Sequence, residues 1–143
     1  MRTPVRASDF TGDLSDFLKD YTYQPKLTTK LDDLVGVSLT TELLNEIVLW
    51  KINRYVSLKG DQLQRIDALS NLKPGEHGQA GSILEELLGA HSVDLPMAST
   101  FLRFRNPSVF QIIDRHAYRA LYGRDYKLYT QTPLKKKIEV YFA

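Results

Sequence analysis

Apolar side chains along this chain recur at intervals of three and four residues. Strand signals are poor by comparison, with no clean one-by-one alternation sustained over a long β-branched stretch. A helix gathers positions i, i+3, i+4 and i+7 on one face, whereas a half-buried strand needs a period of two. The contrast predicts an all-α fold. The clearest stripe is Leu44, Ile47, Val48, Ile52 and Tyr55, opened by Thr40 or Thr41 as a cap and running to about Leu58. Lys59-Gly60-Asp61 reads as its end, because glycine takes the left-handed conformation a helix terminus needs.

Shorter helical segments flank this one. Asp13 is placed to cap 13–21, with Leu14, Phe17 and Leu18 inward, and 62–72 turns Leu63, Ile66, Leu69 and Leu72 to one side. Lys73 to Gly78 is a turn fixed by proline and glycine. Residues 79–88 form a helix with Ile83, Leu84, Leu87 and Leu88 on one face, stopped at Gly89. Pro96 then marks the first turn of a helix reaching Arg105, with Asp94 placed to accept hydrogen bonds from it. Asn106-Pro107 ends it. Asp114 stands immediately before another helix, over 114–122, whose stop is Gly123. The spacing of Tyr118, Tyr122, Tyr126 and Tyr129 reads as a packed core stripe, and their interleaving with cations as a base-stacking surface is the alternative.

At 143 residues the chain fits one domain spanning 1–143. No 18-residue apolar run occurs and MRTPVRASDF lacks a signal-peptide core, so no membrane partner is expected and a cytoplasmic location is the default. The absence of cysteine excludes disulfides, thiolate-bound zinc and cysteine-held iron–sulfur clusters. His77, His91 and His116 have no metal-ligand spacing, so neither a metal nor any other cofactor is expected. Net charge is only +2, but 103–137 collects Arg103, Arg105, Arg115, Arg119, Arg124, Lys127 and Lys135–Lys137 against Asp114 and Asp125. Such a one-sided segment suits salt-dependent phosphate contact, and a solvated face is the plain alternative.

Residues 79–105 make a helix-hairpin-helix layout. Ala90-His91-Ser92-Val93-Asp94-Leu95-Pro96-Met97-Ala98 is followed, 16 residues beyond Ala98, by Asp114 within Ile113-Asp114-Arg115-His116-Ala117-Tyr118-Arg119. This arrangement resembles the helix-hairpin-helix DNA glycosylase superfamily that includes endonuclease III. There the hairpin reads approximately Leu-Pro-Gly-Val-Gly-x-Lys-Thr-Ala, and the catalytic aspartate lies in Val-Asp-x-His-x-x-Arg. Val93, Ala98, Asp114, His116 and Arg119 fall on the pattern. Ser92 and Asp94 stand where the family has glycines that let backbone amides approach a phosphate, and Pro96 stands where bifunctional members have the lysine that attacks the sugar. With 29 residues after Asp114, the resemblance is to a shortened member.

The resemblance implies a DNA base-excision enzyme, a hydrolase of DNA repair that is monofunctional for want of the lysine. Asp114 would be catalytic. Val93, Asp94, Leu95, Arg103, Arg105, Arg115, His116 and Arg119 would meet DNA. Asn53 would be a wedge filling the space of a flipped base, with a surface polar residue as its plain reading. Lys51 would be a cleft residue, a substitute amine or a snorkelling lysine. The alternative is a glycosylase-like module without chemistry, binding DNA or a protein partner. Asp114 has its own plain reading as a helix cap.

Overall fold

The computed structural model describes residues 11–13, 15, 24–52, 56–129 and 131–143. Among them the chain is all-helical, with no strand, and no helix is long and apolar enough to cross a membrane. The helix expected over 13–21 lies largely outside the described residues. Contacts gather into two compact units, Met1–Arg54 and Tyr55–Ala143, a finer division than the single domain read from the sequence.

The first unit contains α1 (Pro25–Asp32) and α2 (Thr41–Ile52). Proline opens α1, and the Thr40 hydroxyl accepts from the Leu43 amide at the start of α2. Trp50 Nε1 donates to Thr28 Oγ1 at 2.9 Å, and Lys30 Nζ lies 2.7 Å from Glu46 Oε1. These bonds turn the face of Leu43, Glu46 and Trp50 toward α1. The apolar stripe is therefore not what α2 turns toward α1: Leu44, Val48 and Ile52 are about half exposed, and Lys51 is exposed beside them. Tyr55 and the wedge candidate Asn53 lie outside the described residues.

The second unit opens with a departure from the sequence reading. Gly60 begins a helix, α3 (Gly60–Ala68), and 56–59 are not helical. The Gln62 side chain accepts from the Lys59 amide at 2.8 Å, fixing the helix start there. The segment 62–72 is broken as well, because a 3₁₀ turn over Leu69–Asn71 ends α3 and buries Leu69. Asn106 explains the break. Its buried amide nitrogen donates to the carbonyls of Leu69 (2.9 Å) and Leu72 (3.0 Å), tying the end of this segment to a later helix.

Gly75, at φ +93°, makes the turn that proline and glycine predict. A 3₁₀ turn over His77–Ala80 leads into α4 (Gly81–Gly89), which buries Ile83, Leu84, Leu87 and Leu88 as its spacing requires. Five residues later comes α5 (Leu95–Arg105), packed on α4 and burying Leu95, Ala98, Ser99 and Leu102. Then follow α6 (Arg115–Tyr122) and α7 (Leu134–Phe142), the latter packed against α4. Gly123 closes α6 at φ +62°, as expected of a C-terminal glycine.

The tyrosines do not form a helical stripe. Because α6 stops at Tyr122, Tyr126 and Tyr129 lie beyond it. Tyr118 and Tyr126 are buried while Tyr129 is 61% exposed. They still meet as a chain of rings. Tyr118 lies 4.6 Å from Tyr122 and 5.4 Å from Tyr126, and Tyr129 stands edge-on to Tyr126 at 5.6 Å.

Candidate functional site

Two helix starts hold the carboxylates of interest, and an aspartate caps each. At α6 the extended backbone of Asp114 lets Oδ1 accept from the amides of His116 (2.9 Å) and Ala117 (2.8 Å). The Ala117 amide is the largest influence on this carboxyl, holding it below the usual carboxylate range. The His116 amide and the charges of His116 and Arg115 add to that, and partial burial opposes it. Asp114 is therefore an ionised, partly exposed carboxylate at neutral pH.

Ser99 holds the approach to Asp114 in place. It is fully buried on α5, donates to the Pro96 carbonyl (3.0 Å) and accepts from the Ile113 amide (3.1 Å). The residue before the aspartate is thus tied to the helix after the hairpin turn. The sequence signal for Ser99 is its place within the Leu95, Ala98, Leu102 stripe, a polar intrusion that needs a partner.

At α5 the cap is Asp94. Its Oδ1 accepts from the Leu95 amide at 2.7 Å and from Lys137 Nζ at 2.6 Å. Lys137 is 3% exposed, buried on α7, so it is withdrawn from the basic surface in which the sequence placed it. The ammonium crosses to Asp94 because the low-dielectric interior leaves an unpaired charge at high cost. In the turn itself Ser92 takes φ +64°, the left-handed conformation for which glycine is the usual residue.

The Tyr126 hydroxyl is buried without a hydrogen-bond partner among the described residues. Burial pushes it up to about 12, and the charges of Asp94 and Asp114 both contribute. The tyrosine therefore lies within the electrostatic reach of both caps.

The remaining candidates divide by location. Arg115, His116 and Arg119 are exposed on α6 beside Asp114. Arg115 Nε lies 3.2 Å from His116 Nε2, and Arg119 lies 3.7 Å from Asp125. Val93 and Leu95 flank Asp94 but their side chains are buried, leaving backbone alone for any ligand. Arg105, at the far end of α5, donates to the Asp67 carbonyl (3.0 Å) and to Ser70 Oγ (3.2 Å), bracing α3. Arg103 is half-buried on the same turn. Lys51 belongs to the other unit.

Two of the hollows among the described residues lie in the second unit. One, of about 520 Å³, is apolar and lined by Val56, Leu58, Ile66, Phe101 and Phe104, with no titratable group. The other, of about 260 Å³, lies between α6 and α7 among Tyr118, Tyr122, Arg124, Lys136 and Glu139. No group of histidine and acidic residues among the described residues is arranged to hold a metal ion.

Comparison with known proteins returns no match to any family model, curated protein or solved structure.

Proposed function

We propose that this chain is a DNA base-excision glycosylase without lyase activity. The supporting observation is the geometry around Asp114: an ionised carboxylate at a helix start, tied through Ile113 and Ser99 to the helix after a turn whose Ser92 is left-handed. Asp114 falls on the pattern by which the chain resembles the helix-hairpin-helix glycosylases, and Ser92 stands at the position of a hairpin glycine of that family.

In this reading a damaged or modified base leaves the duplex stack and its N-glycosidic bond breaks. The bonding pair departs with the base, and positive charge develops on the sugar ring as in other glycoside hydrolyses. Asp114, held ionised by its amide partners, suits electrostatic stabilisation of that cation better than proton abstraction. Water then adds to the anomeric carbon, its proton passes to solvent or base, and an abasic site remains. Pro96 offers no amine, so no imine to the sugar forms.

A panel of lesion-bearing duplexes scored for abasic sites tests this directly. Release of at least one base, with no DNA adduct trapped by borohydride, is the expected result. A trapped adduct would mean that an amine elsewhere in the chain has replaced the missing lysine. A specific observation also favours a second reading, a non-catalytic module binding DNA or a protein: both bonds to Asp114 are those of an ordinary helix cap. Silence across the whole panel would select it.

A further inference from the structure

We infer that the hairpin turn carries its own resident anion, the Asp94 carboxylate, so that duplex DNA is held by the exposed arginines of α6 and not by the turn. The inference rests on the proposed reading in taking DNA as the partner.

The first amide of α5 is taken: Leu95 N–H donates to Asp94 Oδ1 at 2.7 Å. The amides of Ala90 and Val93 are taken as well, by the carbonyls of Leu87 (3.0 Å) and Ala90 (3.2 Å). A helix start with free amides attracts phosphate, and here the first amide is taken by the chain's own carboxylate. The same Asp94 oxygen holds Lys137 Nζ at 2.6 Å. Lys137 is 3% exposed whereas the Asp94 side chain is 37% exposed. The turn thus shows solvent its acid and hides its base. An incoming phosphate would have to displace a carboxylate that is bound to both a cation and an amide. Until it did so, the two anions would repel each other.

The α6 surface has the opposite character. Arg115 and Arg119 stand four residues apart, which places them on one helix face, and Arg124 follows the Gly123 stop. All three are exposed. Asp125, 3.7 Å from Arg119, is the one acid in ion-pair contact with them among the described residues. That leaves a cationic surplus next to Asp114, where phosphates flanking a reacting nucleotide would need neutralising.

Amide spectra of the whole chain, titrated with inorganic phosphate and then with a short undamaged duplex, test the assignment. The Val93 and Leu95 amides should stay in place with both ligands, while amides of Arg115–Arg119 move with the duplex. In anisotropy titrations at several salt concentrations, the double substitution Arg115→Ala, Arg119→Ala should lower the slope of log affinity against log salt by about two. Asp94→Gly frees the Leu95 amide and Lys137 together, so phosphate should move Leu95 and the slope should rise by about one. If Asp94→Gly fails to fold, the wild-type titrations still decide. Movement of Val93 or Leu95 in the wild type, or no duplex binding at low salt, overturns the inference. Duplex binding at α6 without base release overturns the glycosylase reading alone.

Discussion

Asp94 and Asp114 do the same structural work with opposite electrostatic outcomes. Each is an extended residue whose carboxylate accepts amide hydrogen bonds at the start of a helix. Asp94 is neutralised by the buried ammonium of Lys137 at 2.6 Å. Asp114 has no cation in ion-pair contact among the described residues, and its charge is held by two amides and by the nearby charges of His116 and Arg115. A cap aspartate is therefore not by itself evidence of chemistry. What separates the two is whether the charge has already been matched by a cation inside the fold.

The strongest way to break the comparison is to unpair Lys137. Asp94→Asn keeps the cap, since asparagine caps about as well as aspartate, but strands a buried ammonium. Stability should fall by about 3–5 kcal/mol in urea titrations. The double variant Asp94→Asn, Lys137→Met should recover most of that loss, because an apolar chain of similar length replaces the buried charge. A loss below about 1 kcal/mol would mean that water reaches Lys137 and that the two aspartates are alike.

Asp114→Asn is next in size. On the proposed function it should leave the fold intact and lower base release by roughly 10²-fold or more, the scale of charge-stabilising groups. Unchanged base release in single-turnover assays would reduce Asp114 to the standing of Asp94.

Tyr126 probes the electrostatic field of both caps. Its hydroxyl is pushed from the ordinary 10.0 up to about 12, as is that of Tyr141, chiefly by burial. Between those values the unfolded chain loses protons that the folded chain keeps, so stability falls as pH rises from about 10 to 12. The two tyrosines should together remove on the order of a few kcal/mol across that window. Tyr126→Phe should abolish its share and also relieve a buried hydroxyl without a partner. An unchanged alkaline loss in urea midpoints at pH 8 and pH 11.5 would show that the hydroxyl is hydrated.

How much of this could be read in the sequence depended on the range of each interaction. Local rules sufficed for the helical class, for the apolar face of α4, for the Asp94 and Asp114 caps and for the left-handed Gly123. They failed wherever a distant partner decided the outcome. Gly60 looked like a terminator, but the Gln62 side chain makes it a beginning. The helix over 62–72 breaks where Asn106, more than 30 residues away, takes its carbonyls. Lys137 looked like one cation in a run of three, and its partner lies 43 residues earlier. Its position among Leu134, Ile138 and Tyr141 was the available signal, since a lysine on the inner face of an amphipathic helix needs an acid opposite it.

The smallest expected effect concerns Asp114 as a cap. Asp114→Ala removes the acceptor for the His116 and Ala117 amides and should cost about 1 kcal/mol, whereas Asp114→Asn should stay within a few tenths of the wild type at neutral pH. The acid limb separates cap from charge. The folded carboxyl titrates below the ordinary 3.8, so its contribution is complete above that value and is lost as pH falls through the lower, folded value. Asparagine has no proton to gain. The gap between the wild type and Asp114→Asn in urea midpoints should therefore be flat above about pH 5 and shift against the wild type as the solution is acidified below 3.8. If the gap stays flat to pH 2, the amides of His116 and Ala117 do not distinguish the charged carboxylate from a neutral acceptor. Asp114 would then be ionised at neutral pH only as any aspartate is, and not because the start of α6 favours its charge.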